Sequence, residues 1–223
     1  LSNIRKSFTY LMSNSFDEVF VIGGSLFIGL PLPITALQII WVNLFTGSLP
    51  ALAFAFDEDM DRGNRKKKMS AHLIFSKRVK IFIFGVGVIS SCLLLLLYYF
   101  LIKIGLDIET ARSVFFVCFS SYILAIAFSF RSLSRPLFSY PIFANKKLNA
   151  SIVIAVTILV ITMTVPPIRN IFELAPLPLS WLPFVIFWLV LNILLVEGTK
   201  YLLHNKNHFF TKEHYLNLFK LRS

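Results

Sequence analysis

The chain has 223 residues, of which 57% are hydrophobic and 24 are phenylalanine, and its formal net charge is +11. This composition is far too apolar for a soluble domain with one packed core and predicts an integral membrane protein. The positive charge does not indicate nucleic-acid binding, which needs a basic face on a soluble fold, because the basic residues lie between apolar runs of spanning length.

Six stretches of the sequence are long and apolar enough to cross a bilayer, which takes about 20 mostly apolar residues. In chain order they lie at 8–29, 33–56, 79–102, 113–130, 149–167 and 180–203. Both cysteines fall inside such stretches, so neither a disulfide framework nor a metal cluster is favoured. The predicted fold class is an all-α membrane protein, a bundle of six transmembrane helices.

The connections between these stretches alternate in charge, which predicts their orientation. Nineteen of the 22 Lys and Arg residues fall on one side of the predicted bundle, and only Lys103, Arg112 and Arg169 fall on the other. An excess of Lys and Arg marks the cytoplasmic side. We therefore expect a multi-pass protein of the cell membrane with both ends in the cytoplasm.

The ends of the chain differ in character from its middle. At the start, Leu1 and Ser2 open a polar helix-like stretch that runs directly into the first apolar one, which indicates a piece of a longer chain. At the end, aromatic and aliphatic residues are interspersed with Lys and His. The expected organisation is a membrane domain at 1–205 and a cytoplasmic or interfacial amphipathic tail at 206–223.

The first stretch contains "YLMSNSFDEVF", which places two carboxylates inside a span. An ionisable residue there is a functional hypothesis by default, because a charge in the membrane centre is costly. Helical spacing puts Asn14, Ser15 and Glu18 on one face, whereas Asp17 points about 100° away from Glu18. The alternative is that these acids are merely hydrated near the cytoplasmic end of the helix.

The second stretch contains "IIWVNLFTGSLPA", in which polar residues interrupt an apolar run. Gly47 and Pro50 predict a break in the helix, because Pro50 removes the hydrogen bond that would occupy the carbonyl of Thr46. Broken helices supply backbone oxygens to cations in several transporters. Asn43 and Thr46, three residues apart, share the face where those carbonyls open. The alternative is a kinked packing helix with small residues against a neighbour.

Together the first two spans predict a cation site. A six-residue outer turn joins them, so they are neighbours, and each carries oxygen ligands at a similar depth. Carboxylate, amide, hydroxyl and carbonyl oxygens form the ligand set of a hard cation. The predicted metal ligands are Glu18, Asn43 and Thr46. The wider set of cation-binding candidates adds Ser15, Asn14 and Asp17. Glu197 is predicted instead to form a local ion pair with Lys200, three residues later.

Several motifs, in order, resemble the C-terminal membrane region of P-type cation-transporting ATPases, particularly the calcium-pump-like branch. The most specific is "WVNLFTGSLPALAFAFDEDMDR", which resembles the sixth membrane helix of these pumps and the Met-Asp-Arg element that follows it. "YLMSNSFDEVF" looks like the fifth helix, "FRSLSRPLF" with "NKKLNASIVI" like the junction of the eighth and ninth, and "EGTKYLLHN" like the end of the tenth.

The resemblance implies roles for individual residues. Ser15 and Glu18 match ligand positions of the fifth helix, and Asn43 and Thr46 match those of the sixth. Two positions depart from the calcium-pump pattern. Gly47 stands where those pumps carry an Asp, and Ala125 falls near the place where the eighth helix supplies a Glu. The implied function is the membrane domain of an ATP-driven cation pump, contributing half of the cation site and the translocation path.

The chemistry of ATP hydrolysis is not expected in these residues. The Asp-Lys-Thr-Gly motif of the family does not occur, so no cofactor is expected in this chain, and ATP and Mg²⁺ belong to other domains of the parent pump. The expected partners are the transported cation, with Ca²⁺ among the candidates, the lipid bilayer and upstream pump domains, but no nucleic acid. Two alternatives stay open, a secondary cation transporter or channel and a non-transporting membrane module from a split or degenerate pump.

Overall fold

The computed structural model describes the backbone of residues 2–57, 77–132 and 136–220 and the side chains of residues 3–57, 85, 87–132 and 136–201. Within those ranges every element of regular structure is helical and there is no β-strand. The predicted all-α fold class is therefore confirmed. The charged loop at 58–76 and the side chains of the predicted tail at 206–223 lie outside the described residues.

The described α-helices and one π-helical segment follow in chain order. They are α1 (Ser2–Phe27), α2 (Ala36–Trp41), a π-helical segment (Val42–Ser48), α3 (Leu49–Phe54), α4 (Lys77–Lys103), α5 (Ile108–Phe130), α6 (Lys146–Thr164), α7 (Pro166–Ile171) and α8 (Leu182–Lys220). The elements α2, π-helical segment and α3 are continuous and together form the second predicted span.

Several helices begin at a polar capping residue that lies before the apolar stretch from which the helix was predicted. The side chain of Asp107 accepts a hydrogen bond from the backbone N–H of Thr110, so α5 begins before residue 113. Asn145 caps α6 in the same way, before residue 149. Such caps satisfy N–H groups that the first helical turn leaves free. Hydropathy therefore located the membrane portion, whereas the caps set where each helix starts.

The end of α1 is fixed by a glycine in a left-handed conformation. Gly29 has φ +73°, and the N–H of Leu30 donates to the carbonyl of Ser25 at 2.8 Å while that of Gly29 donates to Leu26. This is the Schellman pattern, which closes a helix with a residue that needs no β-carbon. It turns the chain into the short outer connection, so α1 and the second span run side by side.

Four helices among the described residues are long and apolar enough to cross a membrane: Ala36–Phe54, Ile108–Phe130, Lys146–Thr164 and Leu179–Tyr201. They establish an integral multi-pass membrane protein. The remaining two predicted spans are helical. In the part of α4 whose side chains the structure describes, Gly87–Lys103 is apolar, and α1 carries many polar residues. The count of six spans therefore stays a prediction.

Helix α5 lies at the centre of the bundle. In the most apolar part of α5, 78% of the stretch is buried inside the protein. The corresponding share is 28% in α6 and 22% in the last predicted span. The indole of Trp41 from the second span packs edge-on against Phe116 of α5, with ring centroids 5.0 Å apart. Its Nε1 donates to Thr162 Oγ1 of α6 at 3.0 Å. Apolar residues on α6 and α8 therefore face outward, where lipid would lie.

Helices α1 and α4 approach each other closely at Gly24. A β-carbon at this position would lie only 2.8 Å from Leu95 Cδ2, so a larger residue would require the side chain of Leu95 to move. The close approach brings the middle of α1 against α4 as well as against α5 and the second span. The polar residues of α1 consequently meet partners from several helices.

Candidate cation site

The second span is interrupted by a π-helical segment and does not unwind. Pro50 has no N–H, so it cannot donate to the carbonyl of Thr46 as an α-helical residue would. Around this position seven residues, Val42–Ser48, adopt π-helical form between α2 and α3. Such segments insert an extra residue into a helical turn and are frequent at functional sites. The interruption predicted from Gly47 and Pro50 therefore takes the form of a widened helix.

Hydroxyl groups donate hydrogen bonds to the carbonyl oxygens around this interruption. Tyr10 Oη of α1 donates to the carbonyl of Thr46 at 2.6 Å, and Ser48 Oγ donates to the carbonyl of Asn43 at 2.8 Å. The hydroxyl of Thr46 donates back to the carbonyl of Val42 at 2.7 Å. In this state the carbonyl oxygen of Thr46 is engaged by Tyr10, and a cation would have to displace or share that bond to reach it, whereas the hydroxyl oxygen of Thr46 donates its proton and keeps its lone pairs.

The carboxylate predicted on α1 meets the amide predicted on the second span. Asn43 Nδ2 donates to Glu18 Oε2 at 2.9 Å. Glu18 is 8% exposed, and its Oε1 has no hydrogen-bond partner among the described residues. The structure therefore brings these two residues together across 25 residues of sequence, and it leaves one carboxylate oxygen open for another ligand.

The other α1 candidates on this face differ in their burial. Asn14, one turn before Glu18, is 2% exposed, and within the described part of the chain neither polar atom of its amide has a hydrogen-bond partner. A buried amide without partners carries a free-energy cost of about 1–3 kcal/mol, which a bound ion or water would remove. Ser15 is only half-buried.

Asp17 faces a different part of the bundle. It is fully buried, and its Oδ1 accepts from Ser91 Oγ of α4 at 2.7 Å while its Oδ2 accepts from Tyr122 Oη of α5 at 3.0 Å. The structure does not bring it to Asn43. Of the predicted candidates, Asp17 is therefore separated from the pair formed by Glu18 and Asn43, as its helical angle indicated.

Gly47 leaves room for a β-carbon. A β-carbon there would lie 3.7 Å from Leu11 Cδ2, 3.8 Å from the carbonyl of Val42 and 3.9 Å from Asn43 Oδ1, all ordinary contacts. A residue larger than glycine is therefore not excluded by contacts of its β-carbon. No group of three or more His, Cys, Asp or Glu side chains converges anywhere in the described residues. An ion here would be held by mixed carboxylate, amide and hydroxyl oxygens.

Glu197 forms the local ion pair that its spacing predicted. Its Oε1 lies 2.8 Å from Lys200 Nζ, and its Oε2 accepts from the backbone N–H of Leu137 at 2.7 Å. Lys200 Nζ also donates to the carbonyl of Ser129 at 2.7 Å. This group joins α8 to the end of α5 and the following turn, so its role is structural.

A buried ion cluster below the site was not predicted. Asp57, just after α3, lies 3.0 Å from Lys6 Nζ of α1 and 3.1 Å from Arg131 Nη2 at the end of α5. The side chains of Lys6 and Asp57 are fully buried, and that of Arg131 is 1% exposed. The only feature of the sequence that pointed to this cluster is that Asp57 is the first acidic residue after the second span. The cluster ties together the two helices of the candidate site and α5.

We expect Tyr10→Phe to destabilise the site without changing its charge. Pro50 has no N–H to donate to the carbonyl of Thr46, and the substitution removes the hydroxyl that donates to it instead. Leaving this buried carbonyl without a donor costs about 1–3 kcal/mol. Unfolding of the purified protein in mixed micelles measures the loss. Tyr98→Phe is the matched control, because the carbonyl of Leu32, to which Tyr98 donates, also accepts from Arg112 Nε at 3.2 Å. Equal losses in both variants would contradict this account.

Comparison with known proteins agrees with this arrangement. The family model described as "Cation transporting ATPase, C-terminus" matches residues 31–202. Calcium-transporting ATPase 1 of Bacillus cereus is 31% identical over 89% of this chain and 24% of its own length. The calcium-transporting ATPase of Bacillus subtilis is 28% identical over 81% of the chain and 20% of its own length. A calcium-transporting ATPase of Listeria monocytogenes is 28% identical over 77% of this chain and 19% of its own length.

The chain thus spans about a quarter or less of the length of the curated relatives it matches. The match covers the second span with its π-helical segment and every later helix as far as residue 202. The chain belongs to the cation-transporting P-type ATPases, as a C-terminal membrane region of the calcium-pump-like kind.

Proposed function

We propose that this chain is the membrane domain of an ATP-driven cation pump and supplies half of its intramembrane cation site. The observation that carries the proposal is the contact between Glu18 and Asn43, at which a buried carboxylate retains an open oxygen. The buried amide of Asn14 on the same helical face, which has no hydrogen-bond partner within the described ranges of the chain, supports it. Ser15 and Thr46 complete the proposed ligand set, the carbonyl oxygen of Thr46 once its hydrogen bond from Tyr10 is released.

The remaining features of the pump belong to the same proposal. The chain lies in the cell membrane, crosses the bilayer six times and has both ends in the cytoplasm. ATP and Mg²⁺ are bound by other domains of the full-length protein. Phosphorylation there changes the packing of α1 against the second span, which exposes Glu18 and Asn43 alternately to the two sides. The calcium-transporting relatives favour Ca²⁺ as the ion.

A screen of cations on the full-length pump tests this function. ATP hydrolysis is measured with Ca²⁺, Mn²⁺, Na⁺, K⁺ and at several proton concentrations, together with uptake of the stimulating ion into vesicles. We expect one cation to stimulate hydrolysis and to accumulate only when ATP is present. Accumulation driven by an ion gradient in the absence of ATP would overturn the pump in favour of a secondary transporter.

Within that screen we expect Gly47→Asp to strengthen binding of divalent ions. A β-carbon at this position makes only ordinary contacts, and two unit charges 4 Å apart attract by about 4 kcal/mol at an effective dielectric constant of 20. Even a third of that energy lowers the half-saturating Ca²⁺ concentration by about tenfold. Gly47→Ala is the control and is expected to leave that concentration unchanged. A gain of the same size in Gly47→Ala would assign the effect to the backbone.

A further inference from the structure

Asp17 is a second carboxylate in the middle of the bundle that the proposed cation site does not use. It adjoins Glu18 in sequence, but adjacent residues point about 100° apart around an α-helix. Glu18 faces Asn43 of the second span, whereas Asp17 faces Ser91 of α4 and Tyr122 of α5. The two carboxylates therefore lie in separate environments.

Among the residues whose side chains the structure describes, no cationic group forms an ion pair with Asp17. The ion pairs found among the described residues use Asp57, Glu173 and Glu197. A charge at the bilayer centre costs about 2.5–3.5 kcal/mol on insertion scales. An Asn would fit the same two hydroxyl groups, accepting from one and donating to the other, without that cost. An ionisable side chain at this depth is a functional hypothesis by default, and the groups around Asp17 indicate what it could bind.

Hydroxyl oxygens surround this carboxylate from three helices. Ser91 and Tyr122 touch it directly, and Ser90 is buried beside Ser91. Ser13 lies one turn before Asp17 on the same face of α1, and in the described part of the molecule its buried Oγ has no hydrogen-bond partner. A hydroxyl oxygen keeps lone pairs when its proton is donated elsewhere. One carboxylate with several hydroxyl oxygens is a ligand set for a hard cation of single charge.

We propose that Asp17, Ser91 and Tyr122, with Ser13, form a second intramembrane cation site that holds a monovalent ion of the Na⁺ or K⁺ class. The site is separate from Glu18 and Asn43 and lies between α1, α4 and α5. The inference rests on the proposed pump function, because the ion reaches this depth through the translocation path. It adds a site and an ion class to that function.

Equilibrium binding of ²²Na⁺ and ⁸⁶Rb⁺ to the purified full-length pump tests the proposal. We expect the wild type to bind one of these ions, Asp17→Asn to lose at least tenfold in affinity, and Ser91→Ala to lose several-fold. Asp17→Asn keeps the shape and one accepting oxygen but removes the charge, and the hydroxyl on the amide side has to accept instead of donate. Ser91→Ala keeps the charge and provides a second variant should Asp17→Asn fold poorly. Glu18→Gln is expected to keep its affinity for ²²Na⁺ or ⁸⁶Rb⁺ within twofold.

Each other outcome has a distinct meaning. No binding to the wild type, or wild-type affinity in both Asp17→Asn and Ser91→Ala, would overturn the second site. Loss of binding in Glu18→Gln but not in Asp17→Asn would place the monovalent ion at the first site and also overturn it. Failure of the pump function itself would appear separately, as absence of ATP hydrolysis stimulated by any cation.

Discussion

Glu18→Gln is expected to abolish cation-stimulated ATP hydrolysis in the full-length pump. The amide oxygen of Gln still accepts from Asn43 Nδ2, as the carboxylate does at 2.9 Å, so the contact between α1 and the second span is kept. Only the negative charge is lost. At an effective dielectric constant of 20, two unit charges 4 Å apart attract by about 4 kcal/mol, so each unit of cation charge loses about a thousandfold in affinity. The ion concentration for half-maximal hydrolysis measures the effect.

Glu197→Gln is the matched control for this substitution. It removes a carboxylate charge from another membrane helix, but Glu197 is engaged by Lys200 and the backbone of Leu137. We therefore expect the ion concentration for half-maximal hydrolysis to stay within twofold of the wild-type value. Unchanged ion dependence in Glu18→Gln, or an equal loss in Glu197→Gln, would refute the assignment of Glu18 as a ligand.

Asp57→Ala is expected to give the largest loss of stability. The substitution leaves Lys6 and Arg131 buried without the carboxylate that both contact, at 3.0 Å and 3.1 Å. Removing one member of a buried ion pair costs about 3–5 kcal/mol, because an uncompensated charge remains. The free energy of unfolding of the purified protein in mixed micelles measures the loss. Asp57→Asn keeps the shape and should lose most of the same free energy.

An exposed ion pair supplies the control for the buried cluster. Glu173 is 63% exposed and lies 3.9 Å from Arg112 Nη1. Exposed pairs of this kind contribute less than about 1 kcal/mol, so Glu173→Ala should change the free energy of unfolding little. If Asp57→Ala cost no more than Glu173→Ala, the charge of Asp57 would not be what holds the three helix ends together.

The sequence predicted those features that depend on spacing along one helix or on the order of apolar stretches. Glu197 and Lys200 are three residues apart, and neighbours at that distance share a helical face. The short outer turn placed the first two spans side by side, and the contact between Glu18 and Asn43 follows from it. Four of the spans are confirmed by helix length and hydropathy. The divergence of Asp17 from Glu18 also followed from the helical angle alone.

Contacts between distant helices could not be predicted in the same way. Tyr10 reaches Thr46 across 36 residues of sequence, and Arg131 reaches Asp57 across 74. Which side chains meet at such distances depends on how each helix is rotated and how closely it packs. Apolar packing decides both, and a single sequence does not encode it in a readable pattern. For the same reason the hydroxyl partners of Asp17 appear only in the folded chain.

The π-helical segment also sets the direction of everything that follows it in the second span. Each residue of an α-helix turns the chain by about 100°, whereas a residue of the wider π-helical turn turns it by less. If Val42–Ser48 became α-helical with the same number of residues, α3 would rotate relative to α2, and Asp57, beyond the end of α3, would point away from Lys6 and Arg131 although no member of the ion cluster had changed. The π-helical form of this segment is therefore itself a constraint that links the ion site to the base of the bundle.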